Sequence, residues 1–171
     1  MPHLADVSPP PEPALIHVMY HEPRIPGNTG SAIRLAAVTG ARLHLVEPLG
    51  FELSEAKLKR AGLDYHDLAV TDVHASFDAA LGALPSSRVF AFTTRAATRY
   101  TDVEYRSDDV LLFGPEPTGL PDDVLAHPRV TARLKIPMLA GRRSLNLTNA
   151  ASIAVYEAWR QRDFAASPDV T

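Results

Sequence analysis

Five side chains could do chemistry together: the carboxylate of Glu116, the guanidinium of Arg34, the amides of Asn28 and Asn146, and the hydroxyl of Ser144. They fall in three signatures. The first is Asn28-Thr29-Gly30 followed by Arg34. The second is Phe113-Gly114-Pro115-Glu116-Pro117-Thr118-Gly119-Leu120. The third is Ile136-Pro137-Met138, then Ser144-Leu145-Asn146-Leu147-Thr148-Asn149-Ala150. Gly114 and Gly119 permit positive φ and close approach of a ligand to main chain. Pro115 and Pro117 stiffen the loop and fix the direction of Glu116. Arg34 interrupts an apolar stretch, Ile33 to Ala37, where a guanidinium needs an anionic or carbonyl partner. Together these groups could bind and orient a polar ligand and stabilise developing negative charge.

Each signature also has a plainer reading. The glycine-proline loop could be a tight structural turn, and Arg34 could reach solvent from a helix edge. Ser144, Asn146 and Asn149 could simply cap the last helix. What favours a site is the joint placement of the signatures at strand ends.

The elements that must position them alternate. Strands are expected over Ala14 to Tyr20, Arg42 to Glu47, His66 to Val70, Arg88 to Thr94, Val110 to Phe113 and Arg133 to Ile136. Helices are expected from Asn28 or Thr29 to Gly40, Ser54 to Ala61, Ser76 to Leu84, Pro121 to Ala126, and from near Asn146 to about Asp163. The last carries Ala150, Ile153, Ala154 and Ala158 on one stripe. Such alternation predicts an α/β fold, a mostly parallel sheet with helices on both faces. Ligands of such sheets bind beyond the carboxyl ends of the strands, where all three signatures fall.

Composition narrows the classes. At 171 residues the chain fits one domain, assigned to residues 15–163, with a proline-rich disordered leader over 1–14 and a frayed tail over 164–171. There is no cysteine, hence no disulfide, thiolate metal site or cysteine nucleophile, which fits the cytoplasm. No apolar run is long enough for a membrane span. Net charge is −3, without the broad basic face of a nonspecific nucleic-acid binder. Local clusters remain, Lys57, Lys59 and Arg60 in one and Arg142-Arg143 in another. The seven histidines show no metal-binding spacing. Dinucleotide, nucleoside-triphosphatase and serine-hydrolase loop motifs are missing.

Taken together, the three signatures resemble the SPOUT class of RNA methyltransferases. They are most similar to the small members that methylate the ribose 2′-hydroxyl of the tRNA wobble nucleoside. Glu22-Pro23-Arg24-Ile25-Pro26-Gly27-Asn28-Thr29-Gly30 with Ile33-Arg34 matches that group's first motif. Arg60-Ala61-Gly62-Leu63-Asp64-Tyr65-His66 and Tyr156-Glu157-Ala158-Trp159-Arg160 also look like its members. The resemblance runs over roughly residues 15 to 163. It implies a deep C-terminal trefoil knot, a homodimer with the site near the subunit interface, S-adenosylmethionine as cofactor without metal, and the tRNA anticodon stem-loop as partner. By position it puts Phe92 and Thr93 beside the methionine or ribose. Gly114, Glu116, Gly119, Ile136 and Ser144 fall in the cofactor pocket, and Met138 and Leu145 along the adenine. It gives Arg34 the central role, as base or as a cation holding phosphate and alkoxide. Asn28 then orients the ribose or Arg34, Glu116 anchors the network, and Asn146 shapes the loop. The competing readings are a catalytically inactive knotted RNA-binding module and a small-molecule methyltransferase that works without RNA.

Overall fold

Five consecutive buried residues, His17–His21, form β1 at the middle of a sheet. The computed structural model describes residues 16–60, 62–63 and 70–168. The expected leader lies outside them. So do most of the expected His66–Val70 strand, part of the Arg60-to-His66 motif, and residues 169–171.

Among the described residues the sheet has seven strands in the order β3-β2-β1-β6-β4-β7-β5. They are β1, β2 (Arg42–Val46), β3 (Thr71–His74), β4 (Val89–Phe92), β5 (Thr98–Arg99), β6 (Val110–Phe113) and β7 (Val130–Lys135). Every pairing is parallel. The helices are α1 (Pro26–Thr39), α2 (Glu55–Arg60), α3 (Phe77–Ala83), α4 (Asp122–Leu125) and α5 (Leu147–Gln161). One core layer joins Val18, Tyr20, Leu43 and Leu45 to Ile33 of α1 and Ala151, Ala154 and Val155 of α5. The other joins Met19, Ala91 and Leu112 to Ala80 and Leu81 of α3 and Val124 of α4. The expected α/β architecture, covered on both faces, is what forms.

Three expectations need correction. α1 starts at Pro26, not at Asn28 or Thr29. Ile25 holds the cap position, and Pro26 supplies a fixed helical φ without an N–H that would need a partner. Val70, the one described residue of the expected His66–Val70 strand, lies in a turn, and β3 begins after it at Thr71. On α5 the buried stripe is Ala151, Ala154, Val155 and Ala158, while Ile153 is 37% exposed. The short β5 and the 3-10 turn Tyr100–Asp102 were not expected. The stop of α1 at Gly40 is as read: φ is 77° and its N–H donates to the Ala36 carbonyl.

Strand order reverses between β1 and β6. The chain leaves β1 for β2 on one side, and reaches β4 and β7 on the other. A crevice therefore opens at the carboxyl ends of β1 and β6.

Candidate active site

The loop after β6 turns on two glycines with different duties. Gly119 has φ of +69°, a conformation L side chains rarely adopt. Gly114 does not need positive φ. A Cβ there would overlap the Leu120 nitrogen and the Gly119 carbonyl carbon, so the close approach at Gly114 is made by the chain itself. Glu116 then faces the start of α1. Its Oε2 accepts from the Arg24 N–H at 2.8 Å, and its Oε1 from the Ile25 N–H at 3.1 Å and Asn28 Nδ2 at 3.2 Å. The positive end of the α1 dipole favours a carboxylate at this point.

Asn28 is 8% exposed and engaged on every side. Its Oδ1 accepts from Asn146 Nδ2 at 2.9 Å, and its carbonyl from Thr148 Oγ1 at 2.6 Å. The Thr148 proton is thereby used, so Tyr20 must be the donor in the 2.9 Å contact between the two hydroxyls. Burial pushes the Tyr20 phenol well above its ordinary pKa, which keeps that donor protonated. Asn146 caps α5 as well: its Oδ1 accepts from Thr148 N at 2.9 Å and Asn149 N at 3.2 Å. The capping reading and the site reading of Asn146 are both true of one side chain. A line of hydrogen bonds thus runs Glu116–Asn28–Asn146, locking together the three signatures. Tyr20 and Thr148 escaped the sequence reading as supports. Thr148 lies inside the third signature, which was its one available signal.

Beside this line lies a cavity of about 640 Å³, within the size range of ligand sites. Phe92 and Thr93 close it from β4, with Phe92 stacked on Phe113 at 4.6 Å between ring centroids. Gly114, Glu116 and Gly119 line it from the loop after β6, and Ile136, Met138, Ser144 and Leu145 from the segment after β7. Asn28 and Asn146 line it too. Met138 and Leu145 are 40% and 41% exposed, apolar wall with no protein against it. The lining mixes apolar side chains with the polar groups of Asn28, Thr93, Glu116, Ser144 and Asn146 and the cations of Arg95 and Lys135. Such a mixture suits a ligand with both apolar and charged parts. Among the described residues no cluster of three or more His, Asp or Glu side chains could hold a metal ion.

Arg34 is not in this cavity. It lines a second one, of about 450 Å³, between α1 and residues 51–58. Its Nη2 donates to the Gly62 carbonyl at 2.8 Å, one of the partners anticipated for it. The expected convergence of Asn28 and Arg34 within one chain does not occur. With α1 starting at Pro26, both residues are helical. Six residues apart places them about 9 Å along the axis and on different faces.

On the opposite face of the sheet, three strands contribute a row of histidines. His17 Nδ1 meets His44 Nε2 at 2.9 Å, and His44 Nδ1 meets His74 Nε2 at 2.9 Å. His17 Nε2 reaches Asp108 Oδ1 at 3.2 Å. The carboxylate can only accept, so each ring donates from Nε2 in the same direction. Burial lowers the pKa of His17, and lowers that of His44 to about 3, with the neighbouring histidines reinforcing the second shift. None of the three histidines lines either cavity.

A parallel sheet with a ligand cavity at its switch point, closed by the loops after β4, β6 and β7, is a nucleotide-cofactor architecture of the methyltransferase kind. Over residues 15–156 the sequence matches the SpoU rRNA Methylase family, and the chain belongs to it. It is similar to the tRNA (cytidine(34)-2′-O)-methyltransferase of Methylovorus glucosotrophus, with 47% identity over 151 residues that cover 88% of this chain and 98% of that protein. A solved structure concerned with the 2-OH methylation of C/U34 on tRNA aligns at TM-score 0.81 and 49% identity, covering 90% of this chain and 99% of that one. The AdoMet-bound rRNA methyltransferase of Sinorhizobium meliloti aligns at TM-score 0.75 and 27% identity, over 88% of this chain and 57% of that one.

Proposed function

We propose that this chain is a cytoplasmic homodimeric enzyme. It transfers the methyl group of S-adenosylmethionine to the ribose 2′-hydroxyl of the tRNA wobble nucleoside, cytidine 34, with uridine 34 as second substrate. One observation carries the reading. The nine residues that the resemblance assigns to the cofactor all line a single cavity at the carboxyl ends of β4, β6 and β7.

The residues present suit the cofactor. Ile136, Met138, Ser144 and Leu145 would hold the adenosine, and Phe92 and Thr93 the ribose or methionine end. When bound, it supplies an already activated methyl group. The protein's task is then positioning and charge stabilisation. Glu116 acts as an anchor, its carboxylate accepting from the Arg24 and Ile25 N–H groups and from Asn28 Nδ2. The Asn28 amide donates to Glu116 and accepts from Asn146, so it fixes α1 to the third signature. The Arg34 guanidinium has donors and no acceptor. It holds a phosphate of the substrate and stabilises the 2′-oxygen as that oxygen passes its proton to solvent water and takes the methyl group. Since Arg34 opens on the other side of α1, the complete site is formed in trans, with Arg34 of one protomer facing the cofactor cavity of its partner. The trefoil knot belongs to the same reading. It would draw the segment after β7 and α5 through the chain, and the tight crossing over Gly114 is consistent with that.

The test is to incubate the protein with labelled S-adenosylmethionine and bulk tRNA and locate the product by mass spectrometry. A 2′-O-methylated nucleoside at position 34 is expected. Label elsewhere in the tRNA, or label transfer that needs no RNA, contradicts the reading.

A further inference from the structure

The second cavity carries chemistry that cofactor binding leaves unused. Its walls are Phe51, Leu53, Leu58 and Leu63, with Leu58 and Leu63 8% and 5% exposed. Around this apolar lining stand three charged groups, Arg34, Lys57 and Glu52. Among the described residues, Lys57 and Glu52 make no ion pair, and Arg34 uses one donor on the Gly62 carbonyl. Thr29 also lines it, 1% exposed, and among the described residues its buried Oγ1 has no hydrogen-bond partner. A buried hydroxyl without a partner is costly and is rare in a finished protein interior. Lys59 and Arg60 extend the positive charge along the last turn of α2.

An aromatic ring, an apolar slot, a carboxylate and two cations form the set that recognises a nucleotide. The ring stacks on a base. A carboxylate accepts from an exocyclic amine such as cytosine N4. The cations take the phosphate. We propose that this cavity seats the base of the nucleotide undergoing methylation. Phe51 and the leucines flank the ring, Glu52 reads its amino edge, and Arg34 and Lys57 hold its phosphate. This rests on the reading of the chain as a wobble-ribose methyltransferase. It adds that pyrimidine choice is made here and not in the cofactor cavity. The two cations on one rim account for Arg34 being near both base and ribose: the same nucleotide presents them together.

The test compares Phe51→Ala, Phe51→Trp and Glu52→Gln with the wild type. kcat/KM is measured on anticodon stem-loop RNAs differing only as C34 or U34, with cofactor affinity from calorimetry and dimer mass from sedimentation. Phe51→Ala should lower kcat/KM by about tenfold or more, with Phe51→Trp near wild type, because stacking needs only a ring. Glu52→Gln should shrink the C34-over-U34 ratio by roughly tenfold, since an amide serves either edge. Cofactor affinity should stay unchanged throughout. Glu52 is exposed, so that variant stays informative should Phe51→Ala misfold. Unchanged kcat/KM and ratio in an active wild type would overturn the inference. So would a loss of dimer mass in any of the three variants, which would make a second protomer the occupant. An inactive wild type would instead bring down the functional reading beneath it.

Discussion

The two cavities flanking α1 are built on opposite plans. In the cavity proposed for the cofactor a chain of polar groups is bonded together: Glu116 to the start of α1, Asn28 to Glu116 and Asn146, Asn146 to the start of α5. In the cavity beside residues 51–58, among the described residues, Thr29 is left without a partner and Arg34 and Lys57 have donors to spare. The first is preorganised, with its cost of ordering met during folding. The second presents groups that a polyanion would complete. Catalysis by positioning needs a rigid seat for one reactant and an adaptable clamp for the other. α1 supplies a residue to each from different faces.

The contrast can be broken most severely at Gly114. Gly114→Ala would drive a Cβ into the main chain of Gly119 and Leu120, which cannot swing aside as a side chain would. We expect a loss of about 3 kcal/mol or more, seen as a collapse of the urea midpoint together with cofactor binding. Gly82→Ala, with open space around its Cβ, is the control and should gain about 0.5 kcal/mol.

Next comes a dissociation of functions. Arg34→Ala should lower methyl transfer by about a hundredfold while leaving cofactor affinity as it was. Glu116→Gln should do the reverse first. Its amide cannot accept from every donor that the carboxylate serves, so cofactor affinity should fall by roughly tenfold. If both variants lost cofactor affinity equally, the two cavities would be one functional unit and the contrast would dissolve.

A smaller effect is expected far from both. His44 has a folded pKa lowered to about 3 against an ordinary value near 6.5, and that of His17 is also lowered. In the unfolded chain these rings take up protons as pH falls through about 6.5, while the folded protein resists. Stability is therefore full above that pH and declines steadily below it toward about 3. His44→Leu should cost about 1–3 kcal/mol at pH 7.5, from the partners left unpaired. It should also flatten the slope of the urea midpoint between pH 7.5 and 5. An unchanged slope would mean that the histidine row is not the source of the acid sensitivity.

How far the sequence could be read follows the locality of each signal. The stop at Gly40, the strand Val110–Phe113 and the cap at Asn146 depend on neighbours in the chain, and all appear as expected. The residues that the family resemblance assigns to the cofactor line one cavity, and their binding it is the proposal. The start of α1 was misjudged because Pro26 both ends loops and begins helices, and the acceptor at the helix start, Glu116, lies some 90 residues away. The face of α5 was ambiguous because small alanines recur on several sides; packing against α1 chose among them. The histidine row depends on strand register between β1, β2 and β3, which no local pattern displays. The separation of Arg34 from Asn28 followed from two residues' difference in where a helix begins.

The claim that Arg34 acts on the partner's cofactor cavity is tested most directly by mixed dimers. Arg34→Ala removes the cation, and Thr93→Arg obstructs the cofactor cavity. Each alone should be inactive. Refolded together at equal concentration, half of the dimers would be mixed, each with one intact site and one doubly broken, giving about a quarter of wild-type methyl transfer. A mixture as inactive as its parents would place Arg34 and the cofactor in the same subunit and contradict the account.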